Sequence, residues 1–263
     1  MKTTINKKAI FIMFCLMAYG MTFFVSCKKE KPAPTPPPAN GTLMLHLHTN
    51  VDTNEVDYFD TVYTMTGGRK ISVTKAQLYL SNITLIKLDG STYTVPGTII
   101  LKKMEIEPYT VGSVPSGNYK SIRFDVGLSP TTNASTPASA DSTLNRPDMW
   151  FGVAAQPAGF IFTNFQGKID TTTAANGTIA QMQAFSYKIG TNANLKTVTM
   201  PDQNYTVTPN GVQYIHIIVD YSKLFTGVQL NVNSNLGINT TADNGTPLGT
   251  QVTNNISSMF IYE

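Results

Sequence analysis

This chain contains three histidines, and they are its residues with the clearest potential for chemistry. His46 and His48 lie two residues apart, so on a β-strand both imidazoles point to the same face, about 6.5 to 7 Å apart at the backbone. His216 could join them if the fold brings its strand alongside. Imidazole binds zinc, copper, iron and nickel, and a thioether from Met44 or Met149 would favour copper. The pattern indicates a candidate metal site.

The same histidines also have a structural interpretation. Strands with one solvated face carry polar side chains on that face, so His46 and His48 could simply meet water. His216 could then be an ordinary hydrogen-bonded residue of the core. An H-x-H pair is not specific by itself, and the residues alone leave both interpretations open.

The elements that must position these side chains are β-strands. Leu43, Leu45 and Leu47 alternate with polar or larger residues, and this period of two predicts a strand with one buried face. Asp89 and Gly90 form a strong hairpin signal between two further strands. Helical periodicity is almost absent. The predicted strands cover residues 42–49, 55–65, 77–88, 91–95, 118–126, 160–169, 179–189, 195–200, 212–221, 228–232 and 256–262.

Two long polar stretches separate some of these strands, at residues 129–147 and 233–255. Loops longer than about 12 to 15 residues are usually functional or flexible. The first leads directly into Trp150, the only tryptophan, so we expect a functional surface there. The predicted fold is all-β: an antiparallel β-sandwich or barrel-like domain with two long polar loops and little helix.

The N-terminus has the features of a secretory leader. Lys2, Lys7 and Lys8 precede an uncharged apolar run over residues 9–25, which is typical of a signal peptide. Val25, Ser26 and Cys27 then resemble the lipobox of bacterial lipoproteins, in which the cysteine is lipidated and becomes the mature N-terminus. We therefore expect a protein of the bacterial cell envelope that is lipid-anchored through Cys27, at the outer membrane rather than the inner one.

This assignment divides the chain into three parts. Residues 1–26 are the predicted signal peptide, and residues 27–40 are the lipidated cysteine and a proline-rich tether, which favours extended polyproline II. Residues 41–263 are a single predicted β domain, of ordinary size for this class.

Composition excludes several classes of function. The chain carries a net charge of +3, but three of its lysines belong to the leader, so the mature chain is neutral. We therefore expect no nucleic-acid partner. Cys27 is the only cysteine outside the leader, which excludes thiolate metal sites and cysteine nucleophiles in the domain. Motifs of serine hydrolases, zinc proteases and P-loop enzymes are absent, and we expect a protein that is not an enzyme. A glycosidase that uses paired carboxylates is a remote alternative.

Four segments together resemble the MbnP-like family. They are the strand around His46 to Asp52, ISVTKAQLYLSNITLIKLDG at residues 71–90, VPSGNYKSIRFDVGL at 114–128 and MWFGVAAQPAGFIFTNFQG at 149–167. The resemblance extends from about Gly41 to the end of the chain. It implies an exported, mostly β protein that binds copper through histidines near a tryptophan.

In the best-understood members of that family, a partner dihaem oxidase converts the tryptophan to kynurenine. Trp150 occupies the matching position here, with Met149 beside it, and Gly152 stands where related copper-scavenging proteins have a histidine. Our first hypothesis is a copper-binding envelope lipoprotein with His46, His48 and His216 as ligands. The second is a surface module that binds glycan or protein and whose histidines are structural.

Overall fold

The computed structural model describes residues 39–137, 143–152 and 159–263, which form two β-sheets with short helices and turns between the strands. The predicted signal peptide and Cys27 lie outside the described residues. The described strands, in chain order, are β1 (Gly41–Val51), β2 (Asn54–Glu55), β3 (Val62–Thr64), β4 (Lys70–Lys87), β5 (Thr92–Thr94), β6 (Ile99–Lys102), β7 (Pro108–Val114), β8 (Gly117–Val126), β9 (Ile161–Asp170), β10 (Met182–Gly190), β11 (Lys196–Thr199), β12 (Tyr205–Val207), β13 (Val212–Asp220), β14 (Gly237–Ile238) and β15 (Phe260–Tyr262).

The helical content of the described residues is small. These residues include two α-helices, α1 (Pro130–Asn133) and α2 (Pro247–Asn255). No helix in the described ranges has the length and apolar character needed to cross a membrane. Short 3-10 segments occupy Pro147–Met149, Ile179–Gln181, Asn192–Asn194, Tyr221–Phe225, Asn233–Leu236, Asp243–Gly245 and Ile256–Met259. The prediction of a mostly β fold with little helix is confirmed.

The small sheet is built around β1. Its order is β15-β13-β1, and β2 and β7 pair with the other edge of β1. The pairing of β1 with β13 is parallel, with Thr42 opposite Val212 and Asn50 opposite Asp220. The prediction of an antiparallel arrangement is therefore wrong for this central pair. Parallel neighbours need a long crossover connection, and here most of the large sheet lies between the two strands in the chain.

The predicted alternation along β1 is confirmed. Leu43, Leu45 and Leu47 are fully buried, whereas Met44, His46 and His48 point to the other face of the sheet. β13 alternates in the same sense, with its buried Ile215, Ile217 and Val219 on the core side. Burial of such an apolar side chain stabilises the fold by about 1.5 to 3 kcal/mol, so these six residues hold the histidine-bearing face outward.

The large sheet is built around β4, whose 18 residues pair with β9 and β8 and with the short strands β3, β5 and β6. The sheet continues through β10 and β14 on one side and β11 and β12 on the other, and it curls into a half-barrel. The predicted hairpin between β4 and β5 is present. Gly90 has φ of 84°, a left-handed value that glycine adopts readily, and Asp89 Oδ1 accepts a hydrogen bond from the Ser91 amide at 2.8 Å.

Several predicted elements of the C-terminal third are wrong. Residues 228–232 form turns, because Leu230 alone of the five is buried and no neighbouring strand pairs with them. The predicted loop at 233–255 contains β14 and α2. The Thr246 hydroxyl caps α2 by accepting from the Gly249 amide, and Pro247 begins the helix. The apolar stripe of α2 is narrow, so the sequence shows no clear helical periodicity there.

A lysine is buried in the core between the two sheets. Lys102 is the last residue of β6 and is fully buried, and its Nζ donates hydrogen bonds to Thr49 Oγ1 of β1 and to the Lys103 carbonyl oxygen. Burial lowers the pKa of Lys102 to about 7, and the charges of Glu107 and Glu105 offset only part of this effect. A lysine in this position costs stability, because the native state must either bury a charge or deprotonate the amine.

Lys102→Met should therefore raise the free energy of unfolding at pH 7. In the unfolded chain the lysine has its ordinary pKa of about 10.4, so between pH 7 and that value the unfolded state binds more protons and wild-type stability rises with pH. The advantage of the variant should thus shrink at pH 9.5 in urea denaturation. Lys103→Met, which removes the same charge from a partly exposed side chain, is the control. An advantage that stays constant or widens with pH would contradict a lowered pKa for Lys102.

Candidate metal centre

The three histidines meet on the outer face of the small sheet. His46 and His216 are directly opposite each other in the parallel β1–β13 register, and His48 follows His46 on the same face. The Nδ1 atoms of His46 and His216 are 3.0 Å apart, and the ring centre of His46 lies 4.5 Å from that of His48. One nitrogen from each ring lies within 4.8 Å of the others. The structure therefore brings together all three predicted ligands.

Two carboxylates contact the histidines on β1 from the neighbouring strands. Glu107 directly precedes β7, and its two oxygens lie 3.0 Å from His46 Nε2 and 3.3 Å from His48 Nδ1. Glu55 belongs to β2, and its Oε1 lies 2.7 Å from His48 Nδ1. Of these contacts the one between His48 and Glu55 is a hydrogen bond, and since an ionised carboxylate only accepts, His48 Nδ1 carries a proton there.

A third carboxylate approaches from the opposite side of the cluster. Glu263 follows β15, and its amide donates to the His216 carbonyl oxygen at 3.3 Å. Its Oε2 lies 3.2 Å from His216 Nδ1 and 3.4 Å from His48 Nε2. All five strands of the small sheet thus contain or directly adjoin a residue of the cluster.

The surroundings of the cluster are negative and partly shielded from water. The side chain of His48 is 15% exposed, that of His46 25% and that of His216 47%. Burial alone would lower the pKa of His48, but the hydrogen bond with Glu55 and the charges of Glu107, Glu263 and Glu55 outweigh it and raise that pKa above its ordinary value. The site therefore favours positive charge, either a proton or a metal cation.

The donor set fits a metal ion. With the proton on His48 Nδ1, assigned from the hydrogen bond with Glu55, the lone pair of Nε2 is free. That nitrogen is buried and has no hydrogen-bond partner among the described residues, and Glu263 near it offers another acceptor. A buried acceptor without a donor costs free energy that a cation between the two groups would recover. Imidazole and carboxylate ligands suit zinc, nickel and copper.

Trp150 and Met149 lie beside the large sheet. Met149 is fully buried in a second apolar cluster that also includes Phe160, and the ring of Trp150 stacks on Phe160 with 6.4 Å between ring centres. Trp150 and Phe160 also form an isolated backbone bridge. In the part of the chain that the structure describes, the contacts of Trp150 are with this cluster, so its association with the histidines stays a prediction.

Sequence reasoning did not identify the three glutamates as partners of the histidines. Glu55 is seven residues from His48, but Glu107 and Glu263 are remote in the chain. No local spacing connects them to the H-x-H pair. Their proximity results from the pairing of β7 with β1 and of β15 with β13.

Comparison with known proteins supports a family assignment. Residues 40–243 match the family model described as MbnP. A solved structure, MbnP from Methylosinus trichosporium, shares the fold with a TM-score of 0.51 and 15% sequence identity over 71% of this chain and 78% of that one. A comparison with curated protein sequences finds no significant match. Because the family model covers most of the domain, the chain belongs to the MbnP family.

Proposed function

We propose that this protein binds a copper ion in the bacterial cell envelope through His46, His48 and His216. The observation that carries the proposal is the convergence of three imidazole nitrogens, one of them buried without a hydrogen-bond partner among the described residues. The role assigned to the centre is binding rather than catalysis.

Two arguments favour copper among the metals that imidazole accepts. Nitrogen and oxygen sites generally bind Cu²⁺ more tightly than the other divalent first-row metals, so an unspecialised histidine cluster takes copper wherever it is available. Membership of the MbnP family adds a second argument, since the resemblance implies copper binding for its exported members. Neutral imidazole is the ligand form, so copper affinity should fall as pH drops through the histidine range.

Trp150 has a place in the same proposal. By its position in the family pattern it is the residue that a partner dihaem oxidase would convert to kynurenine. The 3-10 segment Pro147–Met149 leads into it, and Lys75 holds this segment through an ion pair of 2.9 Å with Asp148. The stacking of Trp150 on Phe160 and the ion pair between Lys75 and Asp148 therefore help to position the indole.

Copper binding should depend on the histidine cluster. The wild-type protein should take up about one copper ion, and His46→Ala combined with His48→Ala should abolish uptake, because the domain has no thiol to substitute. At a copper concentration 100 times the Kd, binding should stabilise the wild type by about 2.7 kcal/mol and leave the double variant unchanged. Titration calorimetry and thermal melts measure both effects, and His216→Ala should weaken binding comparably.

Tyr214→Ala is the matched control, because it removes a ring 6.3 Å from that of His216 on the same exposed face without removing a ligand. Equal copper uptake by the wild type and a triple-histidine variant would refute the proposal. The module that binds glycan or protein would then be the better hypothesis.

We also propose that Cys27 anchors the protein to a membrane. Cys27→Ala should release the protein from the membrane fraction into the soluble envelope or the medium, because acyl chains supply about 0.8 kcal/mol per buried methylene. Fractionation with labelled fatty acid measures both attachment and lipidation. Cys15→Ala, which changes the cysteine inside the predicted leader, should leave membrane attachment and lipidation unchanged. A Cys27→Ala protein that remains in the membrane, with no label in the wild type, would contradict the assignment.

A further inference from the structure

The geometry points to Glu263 as a fourth ligand, which makes this a three-histidine, one-carboxylate centre for a divalent cation in preference to Cu(I). The inference rests on the proposed function and deepens it, since it assigns both the missing ligand and the charge of the ion.

The contacts of Glu107 and Glu55 determine which histidine nitrogens face the ion. Both carboxylates lie against His48 Nδ1, and Glu107 also reaches His46 Nε2. A metal-bound histidine typically donates its other ring N–H to a carboxylate, which fixes its tautomer and orientation. Glu107 and Glu55 are therefore positioning residues, and the nitrogens left for the ion are His46 Nδ1 and His48 Nε2.

Glu263 lies near one of these nitrogens and near His216 Nδ1. Its Oε2 is 3.2 Å from His216 Nδ1 and 3.4 Å from His48 Nε2, and His216 Nδ1 is 3.0 Å from His46 Nδ1. Two ligands of one ion with bonds of ~2.0 to 2.1 Å are separated by about 3 to 3.4 Å, depending on the angle between them. The three measured contacts among these four atoms thus have the spacing of ligands of one ion.

The contact between Glu263 and His48 is not a hydrogen bond, since His48 Nε2 has no hydrogen-bond partner among the described residues. In the Nδ1–H tautomer both this nitrogen and the carboxylate oxygen are acceptors, and a cation between them removes their repulsion. Glu263 is nevertheless held there, since β15 pairs with β13 and its own amide donates to His216. The backbone therefore presents the carboxylate to the histidines.

The charge of the cluster selects the ion. Three carboxylates surround the histidines, and a divalent ion neutralises two of their charges, whereas a monovalent ion neutralises one. Carboxylate oxygen is also a hard ligand, which suits Cu(II) or Zn(II), whereas soft thiolate and thioether ligands suit Cu(I). The thioether of Met44, which points to this face, accepts a hydrogen bond from Thr110 Oγ1 at 3.3 Å.

The test compares Glu263→Gln with the wild type, using the full chain purified in detergent and stripped of metal. Loss of a carboxylate that only hydrogen-bonds a metal ligand typically weakens metal affinity about 10- to 100-fold. Loss of a carboxylate that is itself a ligand should therefore weaken Cu(II) binding by about tenfold or more. Cu(I) affinity should change far less. The Cu(II) EPR spectrum should keep its nitrogen hyperfine structure while its parallel g and hyperfine values shift.

Glu105→Gln is the control, because it removes the same charge from an exposed side chain two residues from Glu107. The inference is overturned if Glu263→Gln changes Cu(II) affinity no more than Glu105→Gln does, or if it weakens Cu(I) and Cu(II) equally. Either result, with the wild type still binding through its histidines, leaves the proposed function intact. Failure of the wild type to bind copper would instead refute the proposed function itself.

Discussion

The register between β1 and β13 is the constraint on which the candidate centre depends. Because the pairing is parallel and without offset between His46 and His216, the two imidazoles stand side by side. A slip of one residue would turn His216 into the core and expose Ile215 and Ile217. The buried faces of the two strands prevent this, so apolar residues that contact no ligand determine the geometry of the centre.

The small sheet also explains the electrostatics of the site. Strand backbones are more rigid supports than loops, and each carboxylate lies on a strand or next to one. Glu55 accepts a hydrogen bond from His48 Nδ1, with Glu107 also near that nitrogen, while Glu263 lies near His48 Nε2 and His216 Nδ1. The MbnP homologue of known structure shares the fold, and Gly152 of this chain lies outside the histidine-bearing sheet. Trp150 stacks on Phe160 beside the large sheet, whereas the histidines lie on the small sheet.

The sequence predicted local features well and long-range ones poorly. Period two correctly placed His46 and His48 on one face, and Asp89 and Gly90 correctly marked a hairpin. The direction of β13 relative to β1 was not predictable, because a strand has the same residue pattern in either direction. Glu107 and Glu263 were missed for the related reason that only strand pairing brings them to the histidines. α2 was missed although Thr246 and Pro247 are a recognisable helix start, because its few apolar residues resemble a loop.

Anomalous diffraction at the copper absorption edge, from crystals of the copper-loaded protein, tests most directly whether the histidine cluster is the metal centre. We predict one strong peak among His46 Nδ1, His48 Nε2 and His216 Nδ1, within bonding distance of all three. A peak beside Trp150 with none at the histidines, or no ordered copper in protein that carries one ion per chain, would contradict the assignment.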